Sequence, residues 1–128
     1  MSPAKILAVD DEPDFEMLIR QRFRRQIRAQ EFAFRFARHG EEALAVLAEE
    51  PDIGLLLLDI NMPGMDGLAL LREIKARWPD LPVMMVTAYG DDERRRRASE
   101  LGAFEFLTKP VDFDLLKAQL RQLPDASA

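Results

Sequence analysis

Ile53-Gly54-Leu55-Leu56-Leu57-Leu58-Asp59 is a run of apolar residues ending abruptly on an acid. It leads through Ile60-Asn61-Met62-Pro63-Gly64-Met65 into Asp66-Gly67-Leu68-Ala69-Leu70-Leu71-Arg72-Glu73-Ile74. The first part is too short for a buried helix and too apolar for a half-exposed strand, so 53–58 reads as a strand covered on both faces. The second part places Leu68, Leu71 and Ile74 on one helical face, predicting a helix over 66–77. Asp66 stands where it can cap that helix.

The same unit recurs on either side. Strands are predicted at 6–9, 32–37, 82–86 and 104–108. Helices are predicted at 13–28, with Phe15, Ile19, Phe23 and Ile27 at four-residue spacing, and at 41–49, with Ala43, Leu44 and Leu47 inward. Two more follow at 91–101, ended by Gly102, and at 113–123, carrying Leu116, Leu120 and Leu123. Pro13 suits a first helical turn, with Asp11 or Glu12 as its cap. Five strand–helix pairs in strict alternation imply a parallel sheet with helices on both faces. Strands one, three and four are apolar throughout and belong at the centre. The second and fifth carry charge, as in Phe34-Arg35-Phe36 and Phe104-Glu105-Phe106, and belong at the edges. The expected fold is therefore α/β, flavodoxin-like (βα)5, with strand order 2-1-3-4-5. One domain is expected over 1–128, its core from about 4 to 123 and a frayed tail at 124–128.

Composition agrees. The 128 residues are 48% hydrophobic and 32% charged, enough for a core and for solubility. A formal net charge of -5 disfavours direct nucleic-acid binding. No cysteine is present, which excludes disulfides and thiolate chemistry. The N-terminus does not read as a signal peptide and no run is long enough to span a membrane, so the expected location is cytoplasmic.

Open parallel sheets bind ligands beyond the carboxyl ends of their strands, where the strand order reverses. Those ends carry Asp10-Asp11-Glu12, Asp59, Thr87-Ala88 and Lys109-Pro110. Two carboxylates roughly 4 Å apart repel by about 4 kcal/mol at an effective dielectric of about 20, so such a cluster takes up protons or attracts a cation. Oxygen donors without His or Cys favour a hard ion, Mg2+ above all. Lys109 and the Thr87 hydroxyl would add a cation and a donor for a phosphoryl group, and an Asp carboxylate can serve as nucleophile. Asp59, ending the central strand, is the best placed of the three acids.

Taken together, Val9-Asp10-Asp11-Glu12-Pro13, the run from Leu58-Asp59 to Asp66-Gly67, Thr87-Ala88 and Lys109-Pro110 resemble the receiver domains of bacterial response regulators. The resemblance extends from about Ala4 to Leu123. It implies that Asp59 accepts a phosphoryl group from a phosphohistidine on a sensor histidine kinase or a histidine phosphotransfer protein. Asp11 and Asp59 would bind Mg2+ directly, the Asn61 backbone carbonyl would complete the protein ligands, and Asp10 would act largely through water. Lys109 would contact the phosphoryl group, its bond to Pro110 being cis. Thr87 and the aromatic Phe106 would act as the switch, altering the surface of the fourth helix, fifth strand and fifth helix for a downstream effector or an output domain. The domain would catalyse its own phosphorylation and slow hydrolysis without being a turnover enzyme.

Blander roles compete for the same residues: capping for Asp10-Asp11-Glu12, a strand position for Thr87, core packing for Phe106. Arg94-Arg95-Arg96-Arg97 reads as a solvated helix face paired with Asp91, Asp92, Glu93 and Glu100 on a helix anchored by little more than Ala98 and Leu101. His39 reads as turn surface and Trp78 as packing. The stretch 11–40 is about one turn longer than is usual in the family. Tyr89 holds a position that tunes hydrolysis of the aspartyl-phosphate in relatives, where a bulky ring would shield it. An aspartate-nucleophile phosphohydrolase is disfavoured because Asn61 stands where such enzymes carry a second acid. A flavodoxin-type nucleotide site is disfavoured because Asp10-Asp11-Glu12-Pro13 would repel a phosphate.

Overall fold

The computed structural model describes residues 3–62, 65–87 and 92–122, and of 61, 62, 65 and 66 the backbone alone. Its elements are β1 (Ala4–Val9), α1 (Pro13–Arg22), α2 (Arg24–Arg28), β2 (Phe32–Ala37), α3 (Gly40–Glu49), β3 (Leu55–Asp59), β4 (Asn61–Met62), β5 (Met65–Asp66), α4 (Gly67–Arg77), β6 (Val83–Thr87), α5 (Asp92–Glu100), β7 (Glu105–Thr108) and α6 (Phe113–Arg121).

Five strands pair in parallel in the order β2-β1-β3-β6-β7, which is the expected 2-1-3-4-5 arrangement. β3 and β6 are buried along their whole length, as apolar central strands should be. Because side chains alternate across a strand, the sheet feeds two cores. Leu7, Val9, Leu56, Leu58, Val83 and Met85 meet α3, α4 and α5 on one face. Ile6, Ala8, Leu55, Leu57, Met84 and Val86 meet α1 and α6 on the other.

Two local features depart from the sequence reading. The helix expected over 13–28 breaks at Phe23, whose φ of -106° and ψ of 16° separate α1 from α2. Neither Gly nor Pro causes this. The Phe23 ring is fully buried and packs on Phe34 and Phe32, with centroids 5.1 and 5.8 Å away, so tertiary packing sets the break. The β4–β5 pair is a short antiparallel ribbon that the sequence did not announce. Gly67, which follows it, needs to be Gly: a Cβ there would lie 2.9 Å from the Ile60 Cα and carbonyl oxygen. That contact draws the start of α4 down beside the end of β3.

Smaller differences concern caps and ends. Glu12 is the N-cap of α1 but its side chain makes no capping bond, so the cap expected from Asp11 or Glu12 does not form. His39, read as turn surface, caps α3, its Nδ1 accepting the Glu42 N–H at 3.2 Å. Asp59 and Thr87 close their strands from inside rather than following them. Gly102 ends the α5 turn at φ 108°, as expected of a helix-terminal Gly. The cap expected of Asp66, and Leu123 of the last helix, lie outside the described side chains. No helix among the described residues is long and apolar enough to cross a membrane.

Candidate functional site

The ladder of the sheet carries the site residues to one rim. Beyond β1, the Asp10 N–H donates to the Ala37 carbonyl at 3.0 Å. Beyond β3, the Ile60 N–H donates to Val86 at 3.0 Å, and beyond β7 the Lys109 N–H donates to Thr87 at 2.8 Å. Asp59, held between them in the central strand, is 2% exposed.

Asp10, Asp11 and Asp59 each offer a carboxylate oxygen, all within 4.8 Å of one another. Lys109 faces them, its Nζ 2.9 Å from Asp59 Oδ2 and 3.6 Å from Asp10 Oδ2. Asp10 Oδ1 accepts the Glu12 N–H at 2.8 Å, a tight Asx-type turn that the sequence reading missed although Asp followed two residues later by a chain reversal is its usual signature. Asp10 Oδ2 is buried and makes no hydrogen bond. Burial, with the charge of Asp59 beside it, pushes the Asp10 carboxyl up to about 6 despite the Glu12 N–H and Lys109. Burial pulls Lys109 down, but the hydrogen bond and charge of Asp59, then Asp10, outweigh it and leave the ammonium above its ordinary value.

An orphaned, buried carboxylate oxygen among three acids with only oxygen donors fits a hard divalent cation better than it fits a bare anion cluster. The backbone of Asn61 follows directly after Ile60 in β4, at the same rim.

Thr87 is fully buried, its hydroxyl donating to the Leu107 carbonyl at 3.5 Å. Phe106 is half-buried against the core of the α3–α4–α5 face, and the Arg95 guanidinium lies 5.1 Å from its ring centroid. From sequence, Arg95 was expected only on a solvated helix face. Lys109-Pro110 is cis, as the resemblance implied. Pro63, Gly64, Ala88, Tyr89 and Asp91 lie outside the described residues.

A family model described as a response regulator receiver domain matches residues 6–121. Response regulator protein PilR of Pseudomonas aeruginosa is 43% identical over 117 residues, covering 91% of this chain and 25% of that protein. The DNA-binding transcriptional regulator NtrC of Salmonella typhimurium is 53% identical over 77 residues, 59% of this chain and 16% of its own length. The chain thus spans about a quarter or less of the curated relatives it matches. Among solved structures, the receiver domain of NtrX from Brucella abortus has a TM-score of 0.80 at 35% identity, covering 91% of this chain and 95% of that one. A response regulator receiver protein from Pseudomonas putida has a TM-score of 0.82 at 29% identity, covering 96% and 99%.

Proposed function

Because the chain belongs to the response regulator receiver domain family, a signalling family, we propose that its phosphoryl acceptor is Asp59 and that residues from about 4 to 123 act as one switch. The observation that carries this is the Lys109 Nζ at 2.9 Å from a buried Asp59 carboxylate, inside a cluster of three acids.

In the transfer, an Asp59 carboxylate oxygen forms a bond to phosphorus while the phosphorus–nitrogen bond of a donor phosphohistidine breaks. The electron pair of that bond stays on the imidazole. Lys109 orients the Asp59 carboxylate beforehand and pairs with a phosphoryl oxygen afterwards, so its ammonium faces an anion in both states. Asp10, Asp11, Asp59 and the Asn61 carbonyl would hold Mg2+. Held there, the ion would supply positive charge to offset the carboxylates and the phosphoryl oxygens. Thr87, at the end of β6, would turn its hydroxyl from Leu107 to the new phosphoryl group, and Phe106 would follow inward. The donor would be a sensor histidine kinase or a histidine phosphotransfer protein. The receiver would be read by an effector or an output domain through α5, β7 and α6. The same residues would catalyse the domain's own phosphorylation from small donors and the slow return to free Asp59.

Incubation with Mg2+ and acetyl phosphate, followed by intact mass measurement, tests this. One phosphoryl group should add to the wild type and none to Asp59→Asn. An adduct that survives the substitution places the acceptor elsewhere.

A further inference from the structure

Four consecutive arginines on α5 invite a single reading as solvated charge, yet they are not equivalent. Arg96 and Arg97 are exposed, whereas Arg94 and Arg95 are half-buried, and the Arg95 guanidinium lies 5.1 Å from the Phe106 ring centroid. Phe106 itself is held from two sides: one part of the ring packs on the core of the α3–α4–α5 face, and Arg95 lies over it. Phe has no hydroxyl, so beyond apolar packing the face of the ring is what it offers for electrostatic recognition. Meanwhile α5 is weakly anchored, Ala98 being its buried residue among those described. The contact therefore ties a loosely packed helix to an aromatic residue on the neighbouring strand.

We propose that Arg95 is a latch that holds the Phe106 ring where it lies, half-buried beneath the guanidinium, and so biases the domain toward its resting arrangement. This rests on the reading of Asp59 as acceptor and of Phe106 as the residue that moves. On this proposal an inward turn of Phe106 breaks its contact with Arg95, so the cation–π contact belongs to one state and not to the other. Only such a differential contact can shift an equilibrium. Arg95 is thus a positioning residue, acting on the Asp59 site through Phe106. An exposed to half-exposed contact of this kind corresponds to about two- to five-fold in the resting-to-active ratio. If the resting state dominates, weakening it by that factor tightens any phosphoryl mimic by the same factor.

The test is titration of the protein with beryllofluoride and Mg2+. Arg95→Gln should lower the half-saturating concentration by about two- to five-fold, the range expected for this contact. Arg95→Lys, which keeps a cation, should stay near wild type. In a Phe106→Leu background the Arg95→Gln change should have no effect, which a general charge or helix effect would not reproduce. Unchanged half-saturation in Arg95→Gln, or the same gain with Phe106 removed, overturns the latch while wild-type binding leaves the acceptor reading standing. A wild type that binds no beryllofluoride overturns the acceptor reading, and the latch with it.

Discussion

Replacing Asp10 by Asn should make the ion-free protein more stable at neutral pH. The Asp10 side chain is 5% exposed, has one oxygen without a hydrogen bond and sits beside Asp59, and its pKa rises from 3.8 to about 6. A folded value above the unfolded one means that the fold holds the extra proton between about pH 4 and pH 6. Stability from this group is therefore greatest below that window and falls as pH rises through it. At about 1.4 kcal/mol per tenfold change in proton affinity, ionising Asp10 in the fold costs up to about 3 kcal/mol above the window. Asn keeps an acceptor for the Glu12 N–H and removes the charge, so about 1–3 kcal/mol should be recovered. Urea unfolding with EDTA at about pH 7.5 and about pH 4 measures it, since the first lies above the window and the second at its lower edge. The variant should be the more stable at the higher pH and nearly level with wild type at the lower. An Asn variant no more stable at the higher pH, or equally favoured at both, refutes the reasoning.

The other charged partner should behave in the opposite way. Lys109→Met leaves Asp59 and Asp10 facing each other without the ammonium at 2.9 and 3.6 Å, and should cost about 1–3 kcal/mol at neutral pH in urea unfolding as well as abolishing phosphorylation by acetyl phosphate. Because the folded pKa of Lys109 lies above its ordinary 10.5, this contribution is complete throughout the neutral range and fades only as pH rises past that value. Gly67→Ala should destabilise by about 1–3 kcal/mol, since the new methyl meets the Ile60 backbone rather than a side chain that can swing aside. Thermal melts would show it, and an unchanged melting temperature would mean that α4 shifts freely.

Much of this molecule is legible in its sequence because its signals are redundant. Leu55, Leu56, Leu57 and Leu58 demand a strand buried on both faces, and strict strand–helix alternation then leaves few sheet orders. Asp10, Asp11, Asp59 and Lys109 were visible as a set because each follows or closes a strand of that sheet. What escaped was decided by tertiary contacts or by elements too short to show a period. Phe23 looks like one more apolar position of a regular helix, and only its place among Phe32 and Phe34 breaks the chain there. β4 and β5 have two residues each, below the length at which alternation can be read. His39 is outside the usual set of capping residues, so its Nδ1 was not anticipated as an acceptor. Arg95 could not be distinguished from its three neighbours until the fold laid it over Phe106.

The central claim concerns one side chain. Borohydride reduction of the protein after treatment with acetyl phosphate and Mg2+ converts an aspartyl-phosphate to homoserine, and peptide sequencing by mass spectrometry then locates it. Homoserine at position 59 is the expected result. Homoserine at Asp10 or Asp11, or an unreduced Asp59 in protein that carries phosphoryl, would contradict the account.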